Sequence, residues 1–264
     1  MNIIEAMKER RSVRTFDGKG LNSQQVAELE KAITESSSPF GGNLTIKLRK
    51  FNLKEGYKPS TYGMIKGAED FFLLGIGSDE ASAISAGYRF EQVVLRAWLL
   101  GLGTCWIAAT FKGSDFDKGV TWPAGEELKV ICPVGKAEKP SIKEKITRFT
   151  MGSKNRKPFN ELFFYKDFKT SVPENNQFYE ALEMLRLAPS STNSQPWRAL
   201  VDGDTVHFYY KPKSPASVLD CGIGICHFHE TEKFYAHKGE FSKIGTAPVP
   251  PEDWKYLVSY IRTK

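Results

Sequence analysis

The chain has 264 residues, 41% of them hydrophobic, with 37 basic and 31 acidic side chains for a formal charge of +6. That length supports one large domain or two closely packed halves, and the composition is that of a soluble globular protein. The charges are interspersed and form no helix-turn-helix, zinc-finger or RNP-like pattern, so the basic excess reads as a solvated surface that attracts small anions, and no nucleic-acid partner is expected.

Taken in chain order, the opening "MNIIEAMKERRSVRTF" carries charge throughout and reads as mature sequence. Ile3, Ile4 and Met7 outline a short helix, after which Arg10, Ser12 and Arg14 alternate in "RRSVRTF" and point to one side of an extended segment. Two guanidiniums and a hydroxyl on one side suit a phosphate, although a cluster of arginines taken alone is usually a solvated helix end. Val26, Leu29 and Ile33 then mark a helix that runs into the serine-proline loop "SSSPFGGN". A strand follows in "NLTIKLRKF", with Leu44, Ile46 and Leu48 on one face.

"AEDFFLLGIG" and "LKVICPVG" are apolar enough for buried strands. Between them "ASAISAGYRFEQVVLRAWLLGLG" predicts a long central helix with Ile84, Tyr88, Leu95, Trp98, Leu99 and Leu102 on a broad apolar face, ended by Gly101 and Gly103. The apolar run from Ala97 to Phe111 falls short of the roughly 20 residues of a membrane helix and is expected to be a buried helix end. The lysine-rich stretch from Lys136 to Lys157 is expected to be an exposed crossing.

The second half repeats the first. "YEALEMLRLAPSSTNSQP" aligns without gaps on "VAELEKAITESSSPFGGN", pairing Ser190 with Ser37, and its helix stripe is Phe178, Leu182 and Leu185. "WRALVDGDTVHFYYK" follows as a hairpin turning at residues 202 to 204, with Val206, Phe208 and Tyr210 on one face. Two copies of a helix, loop and strand unit imply either a repeat array or an internal duplication that mimics a two-fold dimer, and with only two copies the pseudo-dimer is expected. Cys221, Cys226, His227 and His229 lie close together but fit no common zinc spacing, and on a helix Cys221, Phe228 and Phe234 would be core-like rather than ligand-like, so no metal site is expected. Four cysteines without a secretory signal point to reduced thiols in the cytoplasm. The three paired-glycine segments lack the third glycine of a dinucleotide fingerprint, and no P-loop or catalytic triad stands out.

"RRSVRTF", "GLGTCWIAATF" at residues 101 to 111 and "APSSTNSQPW" at residues 188 to 197 together resemble the FMN-dependent nitroreductase family, in its fused tandem branch. The resemblance implies an α+β fold of two half-repeats, each with a mostly antiparallel sheet and packed helices, forming a pseudo-dimer within one chain. Residues 1–157 would be the half with the intact arginine motif, and residues 158–264 the shorter half with the intact loop. It further implies one complete FMN site, with Arg10, Arg11, Ser12 and Arg14 opposite Pro189, Ser190, Ser191 and Asn193. Arg10 and Ser12 would hold the phosphate, completed by Lys154 and Arg156. Arg14 would face the pyrimidine edge, Ser190 and Asn193 the ring and ribityl chain, and the small residues Ala108 and Ala109 would bring backbone close to the flavin.

The mirror site would join "NRKPFNEL" to "SSSPFGGN" and looks eroded, because Phe40 stands where the other loop has Asn193. The chain departs from the family on the central helix, where the polar residues that help fix the flavin ring have no clear match in "GYRFEQVVLRAWLL" unless Arg89 or Gln92 serves. The expected activity is that of an NAD(P)H oxidoreductase: NADH or NADPH as donor, a small nitroaromatic or quinone-like acceptor, ping-pong transfer, and a monomer with no membrane partner. The alternatives are a protein that binds flavin or another anion without turnover, as a sensor or carrier, and a purely structural pseudo-dimer.

Overall fold

The protein is described by a computed structural model over residues 1–51, 59–139 and 155–263. Helix α1 (Ile3–Glu9) starts at a capping box, in which the Asn2 side chain accepts from the Glu5 N–H and the Glu5 carboxylate accepts from the Asn2 N–H. Asn22 and Gln25 cap α2 (Ser23–Glu35) in the same way. Asp79 caps α3 (Glu80–Leu99) by accepting from the Ser82 N–H. The short α4 is Gly113–Asp117, followed later by α5 (Tyr179–Leu187) and α6 (Ser217–Phe234).

Two sheets carry these helices. The first consists of β1 (Leu44–Lys50), β2 (Asp70–Ile76), β3 (Gly103–Thr104) and β4 (Glu127–Gly135), all antiparallel, in the order β1-β2-β4-β3. The second has β5 (Phe163–Tyr165), β6 (Trp197–Asp202), β7 (Thr205–Tyr210), β8 (Lys238–Ser242) and β9 (Lys255–Thr263), in the order β5-β6-β7-β9-β8. Removing β5, which runs parallel to β6, leaves β6-β7-β9-β8, an antiparallel sheet of the same topology as the first. The chain is an α+β pseudo-dimer of two half-repeats. β2 is buried at all seven positions, because its sheet is covered on both faces.

The halves meet where α3 crosses α6. A Cβ on Gly87 would overlap the carbonyl oxygen of Leu219, and one on Gly222 would overlap that of Ile84. These two contacts exchange under a two-fold rotation, as an isologous interface requires. Helix α1 belongs to the first half by sequence, yet Ile4, Ala6 and Met7 join the core built from Leu182, Leu185 and Phe228 of the second. The N-terminal arm is thereby carried across to its neighbour.

The run from Ala97 to Phe111 is only in part a helix end. Gly101, at φ +76°, terminates α3 in a Schellman turn, with Leu102 N–H bonded to Ala97 O and Gly101 N–H to Trp98 O. The chain then leaves as β3, and Ile107 pairs with Ile131 beside β4. Among the described residues no helix is long and apolar enough to cross a membrane.

Candidate functional site

A cleft of about 510 Å³ opens at the junction of the halves. Its first wall is the arm that leaves α1. Val13 donates its N–H to Thr104 O, and Arg14 O accepts from Lys66 N–H, so the arm is held extended. Val13 is buried against Gly103, which has no Cβ to obstruct it. With Val13 turned inward, Ser12 and Arg14 line the cleft together with Arg10 and Arg11. The exposed guanidinium of Arg11 lies over the Trp98 ring, 5.7 Å from its centroid.

The second wall is the loop after α5. Thr192, Asn193 and Gln195 all have positive φ, near 50°, which side chains other than glycine adopt at a cost of about 1 kcal/mol or more each. Buried polar groups hold this shape. Gln195 N–H donates to Ser190 Oγ, the Gln195 amide donates to Asn193 O, and Lys157 N–H donates to Gln195 Oε1. From below, the Asp220 carboxylate accepts from Ser191 N–H at 3.0 and 3.1 Å. Pro189, Ser190, Ser191 and Asn193 thus face the arginine arm, and Ala108 and Ala109, exposed after β3, close the remaining side.

The site is cationic. Arg10 and Arg156 both line the cleft, and Arg156 donates to Asn193 Oδ1 at 3.0 Å and to Leu187 O at 2.9 Å. Burial, then repulsion from Arg10 and Arg186, pushes the Arg156 guanidinium down to about 10. Arg10 Nη1 is buried and has no hydrogen-bond partner among the described residues. Burial raises the Asp220 carboxyl to about 7, against the opposing pull of its bonds from Ser191 and Ser194. Such a cleft favours an anion with several acceptor oxygens.

Of the arm, the loop, the alanine pair and the closing basic motif, every expected residue that the structure describes lines this one cleft: Arg10, Arg11, Ser12, Arg14, Ala108, Ala109, Arg156, Pro189, Ser190, Ser191 and Asn193. Lys154 lies outside the described residues. Two expectations are corrected. Residues 155–157 do not pair with the loop at 36–43. Asn155 O accepts from the Asn193 side chain, and Lys157 Nζ donates to Ser194 O, so this segment buttresses the complete loop. Arg89 and Gln92 do not reach the cleft either. They face the other way, toward Ser36 and Ser37, because α3 presents that side to the first loop.

At the mirror position Phe40 packs edge-on against Tyr88 and Phe241, with ring centroids 5.5 and 5.1 Å away. Ser38 and Ser85, hydroxyls 2.8 Å apart, stand where the complete side has Ser191 and Asp220. Reasoning from sequence missed Asp220, Gln195 and a buried cluster of Glu91 and His227 behind Arg10. The available signal for Glu91 was its place on the helix stripe between Tyr88 and Leu95, where a charge is out of pattern.

A family model described as "Putative TM nitroreductase" matches residues 2–231. The crystal structure of a "putative nitroreductase" from Thermotoga maritima is similar over 99% of this chain and 94% of that one, with a TM-score of 0.63 at 20% identity, a likeness of fold. A nitroreductase with bound FMN from Desulfitobacterium hafniense matches 53% of this chain and 92% of its own, with a TM-score of 0.45 at 16% identity. One from Bacteroides fragilis, also with bound FMN, matches 54% of this chain and 91% of its own, at 0.44 and 14%. No curated protein matches the sequence significantly.

Proposed function

The chain belongs to the nitroreductase family of oxidoreductases, and on that premise we propose that its cleft seats one FMN, used to pass electrons from NADH or NADPH to a small nitroaromatic or quinone-like acceptor. The observation that carries this reading is the meeting of the arginine arm and the serine-proline loop, one from each half, on a single cleft. The residues present fit the group, because Arg10 Nη1, buried and without a partner among the described residues, is a donor that a phosphate oxygen would satisfy. Arg156, pushed down by burial beside a second cation, would likewise gain from a neighbouring anion.

Arg10, Arg11, Ser12 and Arg156, with Lys154, would hold the phosphate, while Pro189, Ser190, Ser191 and Asn193 would flank the ring and ribityl chain. Ala108 and Ala109 leave room for backbone to approach the ring. Arg14 would put a fixed positive charge at the pyrimidine edge, a preorganised field that no proton transfer has to create. Bound there, FMN supplies hydride and electron transfer, which no side chain can, in a ping-pong cycle between donor and acceptor. We divide the halves at residue 157, and the protein acts as a monomeric pseudo-dimer in the cytoplasm.

The test is to load the purified protein with FMN, remove the excess, and follow the visible flavin band during addition of NADH or NADPH and then of a quinone. Bleaching followed by recovery supports the oxidoreductase. Retained flavin that neither donor bleaches would make the protein a carrier or sensor, and no retained flavin would refute the cofactor assignment.

A further inference from the structure

Behind the cleft floor lies a cluster of ionisable groups that the reaction above does not use. Glu91 on α3 and His227 on α6 have fully buried side chains, and the Arg10 side chain is only 5% exposed. Glu91 Oε1 is 3.0 Å from His227 Nε2 and 3.6 Å from Arg10 Nε. Its other oxygen accepts from Trp106 Nε1 at 2.8 Å. On the far side of the ring, His227 Nδ1 is 3.1 Å from the Met184 carbonyl oxygen.

These distances fix a proton count. A carbonyl oxygen can only accept, so Nδ1 carries a hydrogen. If that were the ring's only hydrogen, Nε2 would present a lone pair to a carboxylate oxygen 3.0 Å away, a repulsive contact with no solvent to relieve it. The contact therefore holds one more proton, on Nε2 beside a carboxylate or on Oε1 beside a neutral ring. In either arrangement the pair carries no net charge. Burial pushes the neighbouring thiols of Cys132 and Cys226 well above their ordinary range, so neither adds a negative charge.

We propose that Glu91 and His227 share one buried proton, and that this proton lets Glu91 position the Arg10 guanidinium without cancelling its charge toward an anion in the cleft. A bare Glu91 carboxylate would hold Arg10 equally well and would neutralise it. The shared proton separates the two effects. Glu91 and His227 are thus positioning residues, one from each half, that tune the anion anchor at the boundary. The inference rests on the reading that this cleft takes a phosphate-bearing cofactor.

Two measurements test it on the intact protein. In the ligand-free wild type, labelled with ¹³C and ¹⁵N, NMR should find either a doubly protonated His227 ring beside an ionised Glu91, or a protonated Glu91 beside a neutral ring. An ionised Glu91 beside a singly protonated ring would overturn the proposal. FMN binding, followed by quenching of flavin fluorescence, should then separate three variants. In His227→Gln, Trp106, Arg10 and the new amide keep Glu91 ionised, and affinity should fall about ten- to a hundredfold, the worth of one charge-assisted contact. Glu91→Gln, which takes away the acceptor for Arg10 Nε without adding a negative charge, should lose less affinity than His227→Gln, and Glu91→Gln with His227→Gln should recover part of what His227→Gln alone loses. A double variant no better than His227→Gln would mean simple packing damage and would sink the inference. Failure of the wild type to bind FMN would instead sink the cofactor reading, and the NMR result would then decide the shared proton alone.

Discussion

Arg10 shows at the scale of one residue how the site depends on both halves. It leaves α1, which packs on the second half, and its Nε meets Glu91 of the first. Arg10→Ala should weaken FMN binding by about 1.5–3 kcal/mol, the usual worth of a hydrogen bond to a charged group. Phe40→Ala, at the mirror position, should leave FMN affinity unchanged, and equal losses from the two would mean that the sites are misassigned.

Asp220 makes a second residue-scale prediction. Its carboxyl is raised to about 7 in the folded chain from an ordinary value of 3.8, so the folded state holds that proton more tightly than the unfolded one. The stability this group contributes is therefore full below about pH 4 and is lost as pH rises to about 7. An asparagine side chain in its place would still accept from Ser191 N–H but cannot ionise. Asp220→Asn should accordingly flatten the fall in urea-unfolding free energy between pH 4 and 7 and be relatively more stable at pH 8. Parallel pH profiles for the two proteins would contradict this account.

At the scale of elements, the crossing of α3 over α6 depends on Gly87 and Gly222. An added methyl at either position meets backbone oxygen, which cannot rotate away. Gly87→Ala and Gly222→Ala should each destabilise the fold by about 1–3 kcal/mol in chemical denaturation, and by similar amounts because the two contacts are related by the pseudo-two-fold. A change of sign in either variant would show that the helices can slide apart.

Most of these elements were legible in the sequence, since α2, α3 and α5 announce themselves by helical spacing, β1, β6 and β7 by strand and hairpin patterning, and β2 and β4 by continuous apolar runs. Gly101 was legible as a helix end, while the return of the chain as β3 was not, because a two-residue strand has no period. Glu91 was hidden for another reason: His227 lies 136 residues away, and local pattern carries no trace of such a pairing. The buttress formed by residues 155–157 was misplaced on the mirror loop because basic side chains at a crossing do not show which loop their backbone will meet.

For the whole molecule, the duplicated sheet order and the reciprocal helix crossing create two sites related by symmetry, and the side chains then distinguish them. One side received arginines, a strained loop and Asp220, the other an aromatic plug of Phe40, Tyr88 and Phe241. The three peptide motifs were legible as a set, and the structure brings them to one cleft, whereas the closure of the other side depends on Phe241, far from either motif in the chain. The central claim is that this asymmetry leaves one cofactor seat per chain. Native mass spectrometry of the protein after loading with FMN and removal of the excess tests it most directly: the account predicts a single chain carrying one FMN, and chains carrying none, or two, would contradict it.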